Sequence, residues 1–183
     1  MKITSEHIKI LSILALIICL AITATFFILQ KGKKDALLES QAGKALSTVG
    51  NEAQYTDISG NPVSLEKYLG QTLVIHSWAS WCPQCVDQLK LFSSIVSSLP
   101  ETKLLAINRG EDGVTAERFL NYYELWSDVE LLLDPTDYFY KSIEGYAMPE
   151  TVIFDKNGSI IAHFRGVVSE DDIRKTLSEQ NKN

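Results

Sequence analysis

Cysteine is scarce in this chain: 183 residues carry three, Cys19, Cys82 and Cys85. That is too few for a disulfide-stapled scaffold. A surplus of positive charge is also lacking. Lys and Arg number 17 against 23 Asp and Glu, a net charge of −6, and no basic patch stands ready to neutralise phosphate. This argues against a nucleic-acid partner. Internal repeats and low-complexity tracts are absent. The three histidines, His7, His76 and His163, are scattered without ligand spacing, and Cys19 lies apart in an apolar run. A zinc site built on Cys82 and Cys85 would therefore want for its other two ligands. No His follows Cys85 directly, so the c-type haem attachment pattern is missing as well. With 45% hydrophobic and 22% charged residues, the composition is that of one ordinary globular domain with additions.

What is present centres on Ser77-Trp78-Ala79-Ser80-Trp81-Cys82-Pro83-Gln84-Cys85. The apolar run Leu73-Val74-Ile75 leads in, and Val86, Leu89 and Phe92 leave at helical spacing. The two cysteines thus sit where a buried strand hands over to an amphipathic helix. Cys82 falls at the helix start, where unpaired backbone N–H groups and the dipole favour negative charge. A thiolate is such a charge, and the thiolate is the form that attacks disulfides. Pro83 suits the first turn, where its missing N–H has no partner to lose. Cys85, one turn on, is within reach of Cys82. The spacing reads as a two-cysteine redox centre, against two competing readings: half a zinc site, or an inert structural disulfide.

The stretch Trp78-Ala79-Ser80-Trp81-Cys82-Pro83-Gln84-Cys85 resembles the active-site strand and helix of the thioredoxin superfamily, and within it the membrane-anchored TlpA/ResA/DsbE-type thiol–disulfide oxidoreductases. The resemblance extends over residues 52–177. It implies an α/β fold of thioredoxin type, with a mixed central sheet flanked by helices, preceded by one N-terminal transmembrane helix.

Residues 10–29 contain no charge, long enough as a helix to span a hydrocarbon core of about 30 Å. We expect a short tail at residues 1–9, a transmembrane signal-anchor helix at 10–30 in contact with the lipid bilayer, a linker at 31–50 and the thioredoxin-like domain at 51–183. Phe26-Phe27-Ile28-Leu29 continue the apolar run past Ala21 and Ala24, against a cleaved signal. Ile17-Ile18 before Cys19 do not fit a lipoprotein signal, which leaves Cys19 as a membrane-buried small hydrophobe. Lys2 and Lys9 precede the run and Lys31, Lys33 and Lys34 follow it, so the charges fix no orientation. The resemblance places the domain outside the cytoplasm, on a single-pass protein of the cell membrane.

Within the domain, a hairpin over residues 55–65 and a helical turn to Gly70 precede a central strand at 72–78. The active-site helix, 83–98, ends before Pro100. A strand at 102–108, a helix at 115–125 capped by Thr115, a strand at 129–133 and a short helix at 138–143 follow. A hairpin at 151–164 turns on Asn157-Gly158, and a helix from Ser169 closes the chain. Right-handed crossovers put Cys82, exposed, at the carboxyl edge of the sheet. The segment from Arg109 to Leu133 occupies the place of an insert characteristic of the TlpA-like branch.

The resemblance assigns roles. Cys82 and Cys85 are the catalytic pair and form the redox disulfide. Pro149, after Met148, matches a cis-proline that faces the cysteines, and Trp81, Pro83, Met148 and Pro149 bind substrate. The competing reading of Pro149 is an ordinary trans proline opening an edge strand. Glu150 departs from the small or hydroxyl residue usual after this proline and is expected to add negative charge near the groove. Glu111 is the candidate base for the resolving thiol, since a carboxylate near the pair can take its proton; the alternative is a solvated loop charge beside Asp112. His76 is read as a satisfied core side chain. No nucleotide, flavin or metal cofactor is implied. Expected partners are proteins with disulfides or dithiols, apocytochrome c thiols among them, and a membrane redox partner that returns electrons. Three other functions compete: an oxidase or isomerase of secreted proteins, a tethered non-catalytic binding domain, and a peroxide-reducing member of the superfamily.

Overall fold

The computed structural model describes Leu14 and residues 17–31, 45–49, 55–125 and 129–180. The chain divides into two compact units, residues 1–40 and 41–183. In the first, residues 17–31 are helical and their large apolar side chains are exposed. The expected tail, and residues 10–13, 15 and 16 of the expected anchor, lie outside the described residues. Among the described residues no helix is long and apolar enough to cross a membrane.

The second unit is built on a seven-stranded mixed sheet, β1 (Tyr55–Thr56), β2 (Pro62–Val63), β3 (Thr72–Trp78), β4 (Thr102–Arg109), β5 (Glu130–Asp134), β6 (Glu150–Phe154) and β7 (Ile160–Arg165). Its order is β2-β1-β5-β4-β3-β6-β7. β3, β4 and β5 run parallel, whereas β6 pairs antiparallel with β3 and β7 with β6. Helices α1 (Pro83–Val96), α2 (Gly113–Tyr122), α3 (Tyr138–Ser142) and α4 (Glu170–Gln180) connect or close it.

β3 and β4 are buried on both faces, which is why they read as continuous apolar runs. Alternation deals their side chains to two cores. Val74, Trp78, Leu104 and Ala106 join Leu89 and Phe92 of α1 on one face. Leu73, Ile75, Leu105 and Ile107 join Tyr55, Leu65 and Phe139 on the other. Each fully buried Leu, Ile or Phe removes enough apolar surface to contribute about 2 kcal/mol.

Most boundaries fall within two residues of expectation, and three of the differences have a physical reason in the contacts. Residues 45–49, assigned above to the linker, are helical, and Leu46 and Val49 are buried in the second core. Leu46 N–H donates to the Gly158 carbonyl at 3.0 Å, so this stretch belongs to the domain. Helix α2 begins before Thr115 because Asp112 is its cap: the Asp112 carboxylate accepts from Thr115 N–H at 2.8 Å and from the Thr115 hydroxyl at 3.0 Å. It ends before Leu125 because Glu124 takes a left-handed conformation, φ 57°, that lets Leu125 N–H reach the Leu120 carbonyl.

Candidate active site

β3 ends at Trp78, and after four intervening residues α1 starts at Pro83, its first helical residue, with Cys82 as the residue before it. A turn closes this connection: Cys82 N–H donates to Ala79 C=O at 3.0 Å and Cys85 N–H to Cys82 C=O at 3.1 Å. Cys82 and Cys85 are joined by a disulfide, with their Cα atoms 5.4 Å apart. The redox pair expected from the spacing is therefore in bonding contact.

Cys82 is not exposed as expected. It is 3% accessible and Cys85 is fully buried, both within the apolar cluster that α1 makes with the sheet. Trp81, at 60% exposure, and the exposed Pro83 and Gln84 stand around it. Met148 packs against the same cluster. The Met148–Pro149 bond is cis, and the Pro149 carbonyl accepts from Gly166 N–H at 2.7 Å. The trans alternative for Pro149 is thereby set aside.

Glu111 is brought to the motif loop. Its Oε2 accepts from the Ser80 backbone N–H at 2.8 Å and from Asn108 Nδ2 at 2.7 Å, and its Oε1 accepts from the Ser80 hydroxyl at 2.5 Å. Asn108 is fully buried in β4, opposite Trp78 in the β3–β4 register. Glu111 is thus a half-buried side chain with three hydrogen bonds, its backbone N–H also donating to Asn108 Oδ1 at 3.3 Å, rather than a solvated loop charge, while Asp112 caps α2.

Glu150 also departs from expectation. It is fully buried, not an acidic lining of a groove. Its Oε1 accepts from the backbone N–H groups of Tyr146 and Ala147 at 2.8 and 3.0 Å. Its Oε2 meets His163 Nε2, with Arg165 Nε at 3.9 Å. The carboxylate braces the loop that carries Met148 and Pro149.

His76 lies under α1. Its Nδ1 is 2.9 Å from the Thr151 hydroxyl and its ring meets Phe92 edge-on at 5.1 Å, while Nε2 has no hydrogen-bond partner among the described residues. It is a core side chain, as expected, but only half satisfied. Burial pushes its pKa down from 6.5 to about 3, with the Cys85 backbone acting weakly the other way.

Gln88 was not anticipated. It is buried, and its amide clamps the main chain of Val168, accepting from its N–H at 2.9 Å and donating to its carbonyl at 3.1 Å. The signal was available: Gln88 is three residues beyond Cys85, a polar residue on the inward stripe of Val86, Leu89 and Phe92. Among the described residues no group of three or more His, Cys, Asp or Glu is arranged to hold a metal ion.

Comparison with known proteins gives this arrangement a setting. The AhpC/TSA family matches residues 48–163. A thiol–disulfide oxidoreductase ResA of Geobacillus kaustophilus is 23% identical over 135 residues, 73% of this chain and 76% of the relative. Among solved structures, a secreted Mycobacterium tuberculosis disulfide oxidoreductase homologous to E. coli DsbE superposes with a TM-score of 0.61 at 18% identity, covering 72% of this chain and 97% of that one. A thioredoxin-like protein from Aeropyrum pernix superposes with a TM-score of 0.63 at 16% identity, covering 82% and 97%. These likenesses establish the thioredoxin-like fold.

Proposed function

Since this chain belongs to the AhpC/TSA family and has the thioredoxin-like fold, we propose that it is a thiol–disulfide oxidoreductase of the ResA/DsbE kind, working through Cys82 and Cys85. The observation that carries the reading is the sulfur pair itself, bonded across the first turn of α1 at the carboxyl edge of β3. Once reduced, Cys82 sits where the helix N-terminus favours its thiolate. The names of the ResA relatives support the same chemistry.

The reaction runs in two exchanges. The Cys82 thiolate attacks one sulfur of a client disulfide, whose S–S bond breaks, and the second client sulfur leaves as a thiolate. Cys85, giving up its proton, then attacks Cys82 Sγ in the mixed disulfide and releases the remaining client thiolate. Two electrons pass to the client and the Cys82–Cys85 disulfide remains. Glu111, tied to the motif loop through Ser80, is the group we assign to take the Cys85 proton. Trp81, Pro83, Met148 and Pro149 border the pair and receive the client backbone. A membrane redox partner returns the two electrons.

The domain works tethered to the outer face of the cell membrane by residues 10–30, with thiols of the cytochrome c maturation type as clients. The described part of that segment supports a lipid setting: its apolar side chains are exposed, and Thr23 and Thr25 turn their hydroxyls onto carbonyls of their own helix at 3.0 and 2.9 Å. Polar groups in hydrocarbon need such internal partners.

The test is the reduction potential of the full chain in detergent, equilibrated in thiol buffers. A value near that of thioredoxin, about −270 mV, or lower supports a dedicated reductant. A value near −120 mV moves the function to disulfide formation. No reversible two-electron couple at all would leave only the binding-domain reading.

A further inference from the structure

Beside the motif loop lies an open cleft of about 320 Å³, lined by Ser80 and by Thr115, Arg118, Phe119, Tyr122 and Tyr123 around α2. Its wall is aromatic and continuous with the redox strand. Trp78 packs on Phe119 at 5.1 Å between ring centroids, Phe119 on Tyr123 at 4.9 Å, and Tyr123 on Tyr122 at 4.8 Å. The inner end of this series is fully buried and the outer end, Tyr122, is 78% exposed. A ring so exposed adds nothing to a core, whereas Tyr and Arg are the side chains that concentrate binding energy at interfaces.

The charge in the cleft is also distinctive. Arg118 is its one charged lining side chain among the described residues, and it has no carboxylate partner there, unlike Arg109, Arg165 and Arg174. The nearby Glu111 carboxylate is already occupied by Ser80 and Asn108. A chain with net charge −6 therefore presents, among the described residues, a cation without a carboxylate partner in a cleft that Ser80 of the motif loop also lines. Ser80 itself precedes Cys82 by two residues, so a polypeptide bonded to Cys82 needs only about two or three extended residues, at about 3.3 Å each, to reach the α2 wall.

We propose that this cleft is a side-chain subsite for the client polypeptide. It takes an aromatic residue close in sequence to the client's reactive cysteine, and Arg118 pairs with an acidic residue beside it. The inference rests on the oxidoreductase reading, because the client is anchored at Cys82.

The test uses the reduced full chain in detergent and two peptides, each carrying one cysteine in mixed disulfide with glutathione. One peptide has Phe and Asp flanking the cysteine on both sides, and the other has Ala and Lys. The rate constant for glutathione release is measured for both, and their ratio is read in each protein. The wild type is expected to favour the Phe/Asp peptide by about tenfold. Tyr122→Ala should bring the ratio below about threefold, and Arg118→Glu should do the same, because it repels the Asp peptide and attracts the Lys peptide. Both positions are at the surface, so each variant keeps its core. Equal wild-type rates, or a ratio that neither variant alters, overturn the subsite while leaving the exchange activity standing. Release from neither peptide overturns the oxidoreductase reading and the subsite with it.

Discussion

Glu111 and Ser80 are joined twice, through the Ser80 backbone N–H and its hydroxyl, although 31 residues separate them. The end of β4 therefore holds the loop that carries the cysteines at the end of β3. Glu111→Gln keeps an acceptor but removes the negative charge, and hydrogen bonds to a charged group are worth about 1.5–3 kcal/mol. We expect client release by Cys85 to slow about tenfold while the first attack by Cys82 keeps its rate. Single-turnover kinetics that resolve the two exchanges check this; equal slowing of both would confine Glu111 to positioning the loop.

Glu150 is a fully buried carboxylate with His163 on one oxygen and two backbone N–H groups on the other. Removing one partner of such a group leaves a charge uncompensated, at a cost of about 3–5 kcal/mol. His163→Ala should fall in that range by urea denaturation. Arg165→Ala should cost under about 1 kcal/mol, because its Nε is 3.9 Å away and its side chain is 34% exposed.

His76 folds as the neutral imidazole, its pKa held by burial at about 3 against an ordinary 6.5. The unfolded chain takes up a proton below about pH 6.5 and the folded chain does not until about pH 3. Stability from this residue is complete above pH 6.5 and is lost as pH falls towards 3, by at most about 1.4 kcal/mol per unit. His76→Leu should flatten the dependence of the urea midpoint on pH between 6 and 4. An equal slope in both proteins would place the acid sensitivity elsewhere.

Gln88 satisfies both main-chain groups of Val168. Gln88→Leu preserves bulk but strands those groups, which should cost about 1–3 kcal/mol. Hydrogen exchange should show the loop before α4 opening first, ahead of the β3–β4 pair.

Much of this was legible in the sequence. The strand Thr72–Trp78 is identical to its expectation because a doubly buried strand is an unbroken apolar run. Cys82 and Cys85 needed only their spacing. Other features lay beyond local pattern. Glu150 reads as a surface acid until its register across the hairpin brings His163 and Arg165 to it. Leu46 and Val49 lie in a stretch with no sustained apolar face, and only the turn at Gly158 reveals the partner of Leu46, and the Tyr55 hydroxyl that of Val49. The burial of Cys82 follows from its packing with Trp78 and α1, which no motif encodes.

The sheet order has a consequence for the life of the chain before it is folded. The cysteines follow β3, Asn108 is near the end of β4 with Glu111 just beyond it, and Pro149 immediately precedes β6; β3 lies between the other two strands. Until those three strands pair, Cys82 and Cys85 are thiols on a flexible segment, with no helix terminus, no carboxylate and no facing proline. A newly made chain therefore carries two ordinary thiols. The site as described exists only once the central strands have paired, and any lesion that loosens them returns the cysteines to that ordinary state.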